Sequence, residues 1–360
     1  MHVLSTEDNK RGKIGQRQRA KHATHYGAID GLRAYAAIGI VMMHIMTNGG
    51  YHVPEPLHSV IGSMGEFVYL FMVISGFSMC CGYFERISSG ALDLNAFYGR
   101  RFKKILPFFA LLSLFDLILS PSLESLFETF ANLTLCFGLL PNPSMSVIGV
   151  GWFIGLVFVF YLLFPFFCWL LQSKRRAWLS FAVAFVFNLF CQAYFLNDAH
   201  VVKGFDFRTN IVYCAVYFIA GGLIYLYRER IDLLGKACKS VSIGVCLALM
   251  FVGVYFSFNT VLLVAVCVLL LERSITTRDE HRVLDNRFTK FIGGMSMEIY
   301  LCHMMAYRVI ERVGLVAHLG NGILEYGIVL VLTIALALVV SVLFNRALHL
   351  FPSRAVETKR

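Results

Sequence analysis

Residues 30–44 read DGLRAYAAIGIVMMH. A cluster holding an acid and an arginine leads without a break into apolar residues, and the run ends on a histidine. Extended to 29–47, the segment suits a membrane-crossing helix, for which about 20 mostly apolar residues suffice. Ionisable groups within hydrocarbon are costly, so they mark water-filled cavities, partner helices or functional paths. Eleven residues of helix, the interval from Arg33 to His44, advance about 16 Å and return to within roughly 20° of the starting direction. The two side chains therefore share one face, about three turns apart. On spacing alone, an interfacial arginine anchor and a histidine bonded to a neighbouring helix explain the pair equally well.

The whole chain has this character. Of 360 residues, 58% are hydrophobic and 15% charged, with 33 Phe and a mean hydropathy of +0.68. Such a composition excludes a soluble domain and predicts an all-α, polytopic membrane bundle. Ten spans are predicted, at 29–47, 64–84, 105–121, 149–171, 177–196, 211–227, 240–256, 258–272, 290–311 and 324–348. The tightest junction is FSFNT at 256–260, which has to turn the chain between two spans. The segment PSLESLFETFANLTLCFGLLPNPS at 121–144 is bracketed by prolines and carries Glu124 and Glu128. It reads as an interfacial or re-entrant piece and not as a crossing.

Ten spans place both termini on one side, and the basic residues say which. RRFKK (100–104), SKRR (173–176), YRER (227–230), the stretch 272–290 and both tails then lie inside. Only Lys203, Arg208, Arg308 and Arg312, of 32 Lys and Arg, fall outside. That asymmetry is the positive-inside signature. The net charge of +10 is thus an orientation signal, and no nucleic-acid partner is expected. The basic stretch NKRGKIGQRQRAKH (9–22) precedes a long apolar segment with no small-residue cleavage pattern, so it reads as a cytoplasmic tail before an uncleaved span. The expected organisation is a basic tail at 1–28, one integral membrane domain at 29–350 and a cytoplasmic tail at 351–360. Ten cysteines show no metal-ligand spacing and read as small buried hydrophobes, so neither a disulfide framework nor a metal site is predicted.

Four further stretches accompany DGLRAYAAIGIVMMH in a fixed order: YLFMVISGF (69–77), FYGRRFKKILP (97–107), GWFIGLVFVFYLLFP (151–165) and GGMSMEIYLCH (293–303). Together they resemble the acyltransferase 3 family, integral membrane O-acyltransferases acting on cell-surface or secreted glycans. The resemblance implies an acyl group taken from a cytosolic thioester, usually acetyl-CoA, and left as an ester on a sugar hydroxyl. The acceptor is then a surface, secreted or lipid-linked glycan, with membrane lipids as the surroundings. The expected location is a cell membrane, the cytoplasmic membrane of a bacterium. Two departures stand out. Many members carry an acid where this chain has Tyr69, with Glu66 one turn earlier, and acids where it has Val157 and Phe158. An acid that orients His44 has to come from elsewhere; Asp116 is the candidate, its alternative being a residue at the outer interface.

A hydroxyl needs a positioned base near neutral pH, and histidine has the right basicity. His44 is expected to take the acceptor proton, with Arg33 and Asp30 completing the catalytic set. Asp30, three residues before Arg33, either pairs with it or caps the helix. The phosphates of CoA are expected at Arg33, Arg100, Arg101 and Lys104, since arginine suits two-point phosphate contact; contact with anionic lipid explains the lysines as well. The resemblance raises Tyr300 and His303 to lining of the acceptor path; Trp152 and Ser75 are further candidates there, although a Trp at a span end is ordinary and Ser75 beside Gly76 rather suits close helix packing. Arg33 and His44 would then mark two ends of one hydrated route. A transporter or flippase using Arg33, His44 and Asp116 as a path explains the intramembrane charge but not the ordered motifs.

Overall fold

The computed structural model describes residues 26–140, 145–197, 199–201, 205–276, 283–314, 320 and 322–350; most of both predicted tails lies outside these residues. Helix α1 spans Gly27–Gly49 and ends at Gly50, whose φ of 62° is the left-handed conformation that terminates helices. Helix α2 is a continuous run over Leu57–Ser88, broken locally by a 3₁₀ turn at Met64–Glu66 and a π turn at Cys80–Phe84. Helix α3 covers Leu94–Leu119 and α4 Leu123–Thr134. Helix α5 covers Trp152–Leu171, and α6 covers Lys174–Phe190 with a π turn to Phe195. Then follow α7 (Ile211–Ala237), α8 (Lys239–Phe256), α9 (Thr260–Thr276), α10 (Arg287–Gly294), α11 (Ser296–Val313) and α12 (Ile323–Leu350).

Every predicted span is helical, and the molecule is an all-α polytopic membrane bundle. Among the described residues, seven helices are long and apolar enough by themselves to cross a membrane. The other three predicted spans lie on α3, α9 and α11. Helix α3 carries RRFKK in its first half, α9 has 17 residues, and α11 carries Glu298, Arg308, Glu311 and Arg312. Such helices need neighbours to cover their polar groups. The junction FSFNT is a three-residue turn between α8 and α9, and Ser257 takes a φ of 73° to make it. The segment after Pro121 does not cross: α4 is 12 residues long, capped by Ser122, which accepts from the Ser125 amide at 2.9 Å.

Several boundaries differ from the predicted ones. Helix α3 begins eleven residues before the predicted span, at Leu94, where Asp93 accepts from the Ala96 amide at 3.2 Å; helical backbone continues past the apolar part because the cap, and not hydropathy, starts it. Helix α7 likewise runs on to Ala237 through a polar extension tied by Lys236–Asp232 at 3.0 Å. The span predicted at 290–311 is two helices, α10 and α11, which break at Met295.

Two glycines set the centre of the bundle. A Cβ on Gly76 would lie 2.2 Å from the Phe218 carbonyl oxygen, and one on Gly221 would lie 2.1 Å from that of Val73. Helices α2 and α7 therefore cross backbone to backbone, the packing that small residues permit in membranes. Helix α1 lies against α2, α9, α10, α11 and α12. By contrast α8 buries only 11% of its apolar window and α6 17%, which makes them the lipid-facing rim.

Candidate active site

Both ends of the opening motif face protein. At the inner end of α1, Arg33 Nη1 donates to Asp30 Oδ1 at 3.0 Å and Nη2 donates to Ser78 Oγ of α2 at 2.8 Å. Asp30 thus pairs with the arginine. The α1 N-terminus itself begins after Tyr26 with no side-chain cap. Gly31 is required here, since a Cβ would sit 1.8 Å from the Leu284 carbonyl oxygen in front of α10.

The second basic group is Arg101 on α3. Its guanidinium lies over the Tyr83 ring at 4.7 Å and the Tyr161 ring at 5.6 Å, and Nη2 donates to the Tyr83 hydroxyl at 2.5 Å. Its Nε is buried with no hydrogen-bond partner. Lys104, one turn on, lies within electrostatic reach of Arg33, Arg101, Asp30 and Glu298 and keeps its access to solvent. Arg33 and Arg101 therefore form one basic cluster with Lys104, each within electrostatic reach of it. Arg100 does not join them: it is exposed, as the 100° step between neighbours on a helix requires.

Three turns along α1, His44 meets α11. His44 Nδ1 lies 2.8 Å from His303 Nε2, the two rings are parallel within 3°, and His303 Nδ1 lies 2.6 Å from the Tyr300 carbonyl oxygen. His303 is 0% exposed. A carbonyl can only accept, so His303 carries its proton on Nδ1 and offers a lone pair at Nε2. His44 must then donate from Nδ1, which leaves its Nε2 unprotonated. One backbone carbonyl thereby fixes both tautomers and aims a basic nitrogen away from the pair.

The partner of His44 is a second imidazole and not a carboxylate. Asp116 pairs instead with Arg308 Nη1 at 3.8 Å, and of its two readings the one as orienting acid for His44 falls away. The single hydrated route is also corrected. Between Arg33 and His44 the same face of α1 carries Ala37 and Val41, both 0% exposed, and Ile40, 2% exposed. An apolar collar separates the two polar ends.

The remaining predicted residues fall in different places. Trp152 reaches the histidine pair only through intermediaries: it packs on Phe153 at 5.9 Å, Phe153 on Tyr300 at 5.6 Å, and Tyr300 lies 6.0 Å from His303. Ser75 is half-buried beside Gly76 at the α2–α7 crossing, in the packing position. Ser78 is the serine that meets Arg33. On the outer side Asp206 holds Arg208 by contacts of 2.8 to 3.1 Å. Burial alone would weaken the Arg208 cation, but the bonds and charge of Asp206 outweigh it and hold the guanidinium above its ordinary range. Arg208 lies close enough for its charge to reach both His44 and Tyr300.

A family model described as an acyltransferase domain, acyltransferase 3, matches residues 26–342. The chain belongs to the acyltransferase 3 family. It is a multi-pass membrane acyltransferase, with an acyl donor and an acceptor as its substrates. No curated protein and no solved structure matches it. Three features of the acyltransferase were not read from its sequence: the contact of Arg33 with Ser78, the aromatic bed of Tyr83 and Tyr161 under Arg101, and the direct bond between His44 and His303. Each joins residues at least 18 positions apart, so no local spacing signals it. The motifs had given His44 a catalytic role and His303 a place on the acceptor path, without a bond between them.

Proposed function

We propose that this acyltransferase transfers an acyl group, acetyl in the first instance, from acyl-CoA on the inner side to a sugar hydroxyl presented from the outer side, with His44 as general base. The observation that carries the reading is the chain Tyr300 carbonyl–His303–His44, which leaves His44 Nε2 free to accept a proton. The acceptor hydroxyl gives its proton to Nε2 as its oxygen attacks the thioester carbonyl. The tetrahedral intermediate then expels the CoA thiolate, which takes the proton back from His44. The ester and free CoA thiol are the products. His303 acts as a positioning residue: it holds the His44 tautomer and ring and accepts at Nε2 while positive charge builds on His44.

The basic cluster of Arg33, Arg101 and Lys104 suits the phosphates of CoA. Arg33 and Arg101 supply guanidinium forks, Lys104 a point charge, and the unpartnered Nε of Arg101 a donor that a phosphate oxygen would satisfy. From there to His44 is about 16 Å along α1, and the uncharged pantetheine arm is the part of the donor that suits an apolar collar. Side chains of the collar must move aside for it.

Purified protein in vesicles, given labelled acetyl-CoA and a panel of glycans, should place base-labile label on an acceptor. The label should vanish in His44→Ala protein that inserts and folds normally. Label retained by that variant would end the assignment of the base, and no label on any acceptor would end the reading as an O-acyltransferase of sugars.

A further inference from the structure

At the end of the bundle that the basic residues mark as inner, α6 opens with Lys174, Arg175 and Arg176 in succession. The helix packs against both α5 and α7, and two of the three cations reach a neighbour. Lys174 Nζ stands 5.0 Å from the ring centre of Tyr227 on α7, and the Arg176 guanidinium stands 4.2 Å from that of Trp169 on α5. Trp178, one turn into α6, ties the arrangement together by donating its Nε1–H to the Tyr227 hydroxyl at 3.0 Å. Arg175 lies between the two stacked cations. It is about 200° around the helix from Ala177, which is 0% exposed, so its exposed side chain points to the lipid side. Leu179, Val183 and Val186 follow Arg175 at helical spacing on the same face, and all three are exposed. One face of α6 therefore carries a cation at the membrane surface and an apolar stripe below it.

The charge of this corner is uncompensated. Arg228, next to Tyr227, also stacks, on Tyr225 at 4.2 Å, but Glu85 takes it at 4.0 Å; Lys236 has Asp232 at 3.0 Å. Among the described residues no acid pairs with Lys174, Arg175 or Arg176. Three like charges in a row repel, and in the first turn of a helix they oppose its dipole; α6 has no acid there. An orientation signal needs cations on the inner side, but it does not need them held on rings, where long side chains give up rotamer freedom. Nor are these the charges of the donor cluster, since those that reach Lys104 are Arg33, Arg101, Asp30 and Glu298.

We propose that this corner is a binding site for an anionic phospholipid of the inner leaflet: its phosphate oxygens sit on Arg175 between Lys174 and Arg176, and its acyl chains lie along Leu179, Val183 and Val186. The site is separate from the acyltransfer reading and does not depend on it. Guanidinium groups favour phosphate by two-point contact, and the exposed indoles of Trp169 and Trp178 suit the headgroup level. A soluble phosphate would use the cations alone; the apolar stripe commits the site to a lipid.

Trp169 and Trp178 are two of the three tryptophans, so they report on the lipid beside them. Full-length protein carrying Trp152→Phe is reconstituted in phosphatidylcholine vesicles with a minor fraction of either phosphatidylglycerol or phosphatidylcholine brominated on its acyl chains. Brominated phosphatidylglycerol should quench the tryptophan emission at a clearly lower mole fraction than brominated phosphatidylcholine. Arg175→Gln should remove most of that preference, a drop of about fivefold, the worth of one basic residue near an anionic surface, and Arg175→Lys should keep most of it. Arg287→Gln, at an exposed inner position on α10, should leave it unchanged. An excess of inorganic phosphate at constant ionic strength should not reverse it. Equal quenching by the two lipids, equal loss in Arg175→Gln and Arg287→Gln, or reversal by inorganic phosphate would overturn the proposal.

Discussion

His303 is the residue that makes His44 more than a histidine in a helix interface. Its role can be separated from simple packing by replacement. His303→Gln keeps an acceptor for His44 Nδ1–H and a donor for the Tyr300 carbonyl, whereas His303→Phe keeps only bulk. Turnover should be lost by about 10²–10⁴-fold in the Phe variant, the usual worth of a positioned base, and substantially restored in the Gln variant, with KM for the donor unchanged in both. Equal rates for the two variants would reduce His303 to filler. Arg101 and Arg100 offer a matched pair one residue apart. Arg101→Gln should raise KM for acyl-CoA about tenfold, as loss of one charged phosphate contact does, and Arg100→Gln should leave it near the native value. A rise of the same size for both would place the donor phosphates elsewhere.

Helices α1, α3 and α11 carry these groups, and the existence of the helices was the readable part. Apolar length located a helix at every predicted span, seven of them long and apolar enough to cross by themselves, and FSFNT turned where the chain had no room to do otherwise. What hydropathy could not locate were ends set by caps, as at Asp93, and the break at Met295 inside one apolar-looking stretch. The site was half legible for a related reason. Arg33 and Asp30 pair within one turn, a distance that sequence spacing reports. The His44–His303 bond spans 259 positions, and depends on how α1 and α11 face each other. Asp116 looked like the missing acid because it was the lone carboxylate of its span; it is claimed by Arg308 across a contact equally invisible in sequence. At this scale the α2–α7 crossing is the sensitive point. Gly76→Val would drive methyl groups into the Phe218 carbonyl and should cost about 1–3 kcal/mol, seen as a lowered midpoint in a detergent thermal-aggregation assay. Gly99→Val, at a position where a Cβ meets nothing within 4 Å, should not show that loss beyond its helix-propensity effect.

For the whole molecule the distribution of basic residues predicts the orientation, and native cysteines can report it. Cys238, between α7 and α8, is exposed, and Cys136, after α4, is half-exposed, whereas seven of the ten are buried. A membrane-impermeant maleimide should modify Cys238 only from the cytoplasmic side and Cys136 only from the outer side, as read by peptide mass in right-side-out and inverted vesicles. Modification of both from one side would mean that the number of crossings between them is wrong. An odd number of helices must separate the two, and α5, α6 and α7 supply three.

The stretch of α1 between Arg33 and His44 has one more consequence. If the acyl group passes from an inner donor to an outer acceptor, as proposed, any standing column of water through the protein would discharge the gradient across the membrane. On the proposed transfer, the buried Ala37, Ile40 and Val41 would act as insulation between the two polar ends. Substituting Val41→Ser and Ile40→Ser together should therefore appear first as a collapse of membrane voltage in energised vesicles, before any change in how fast the ester is made.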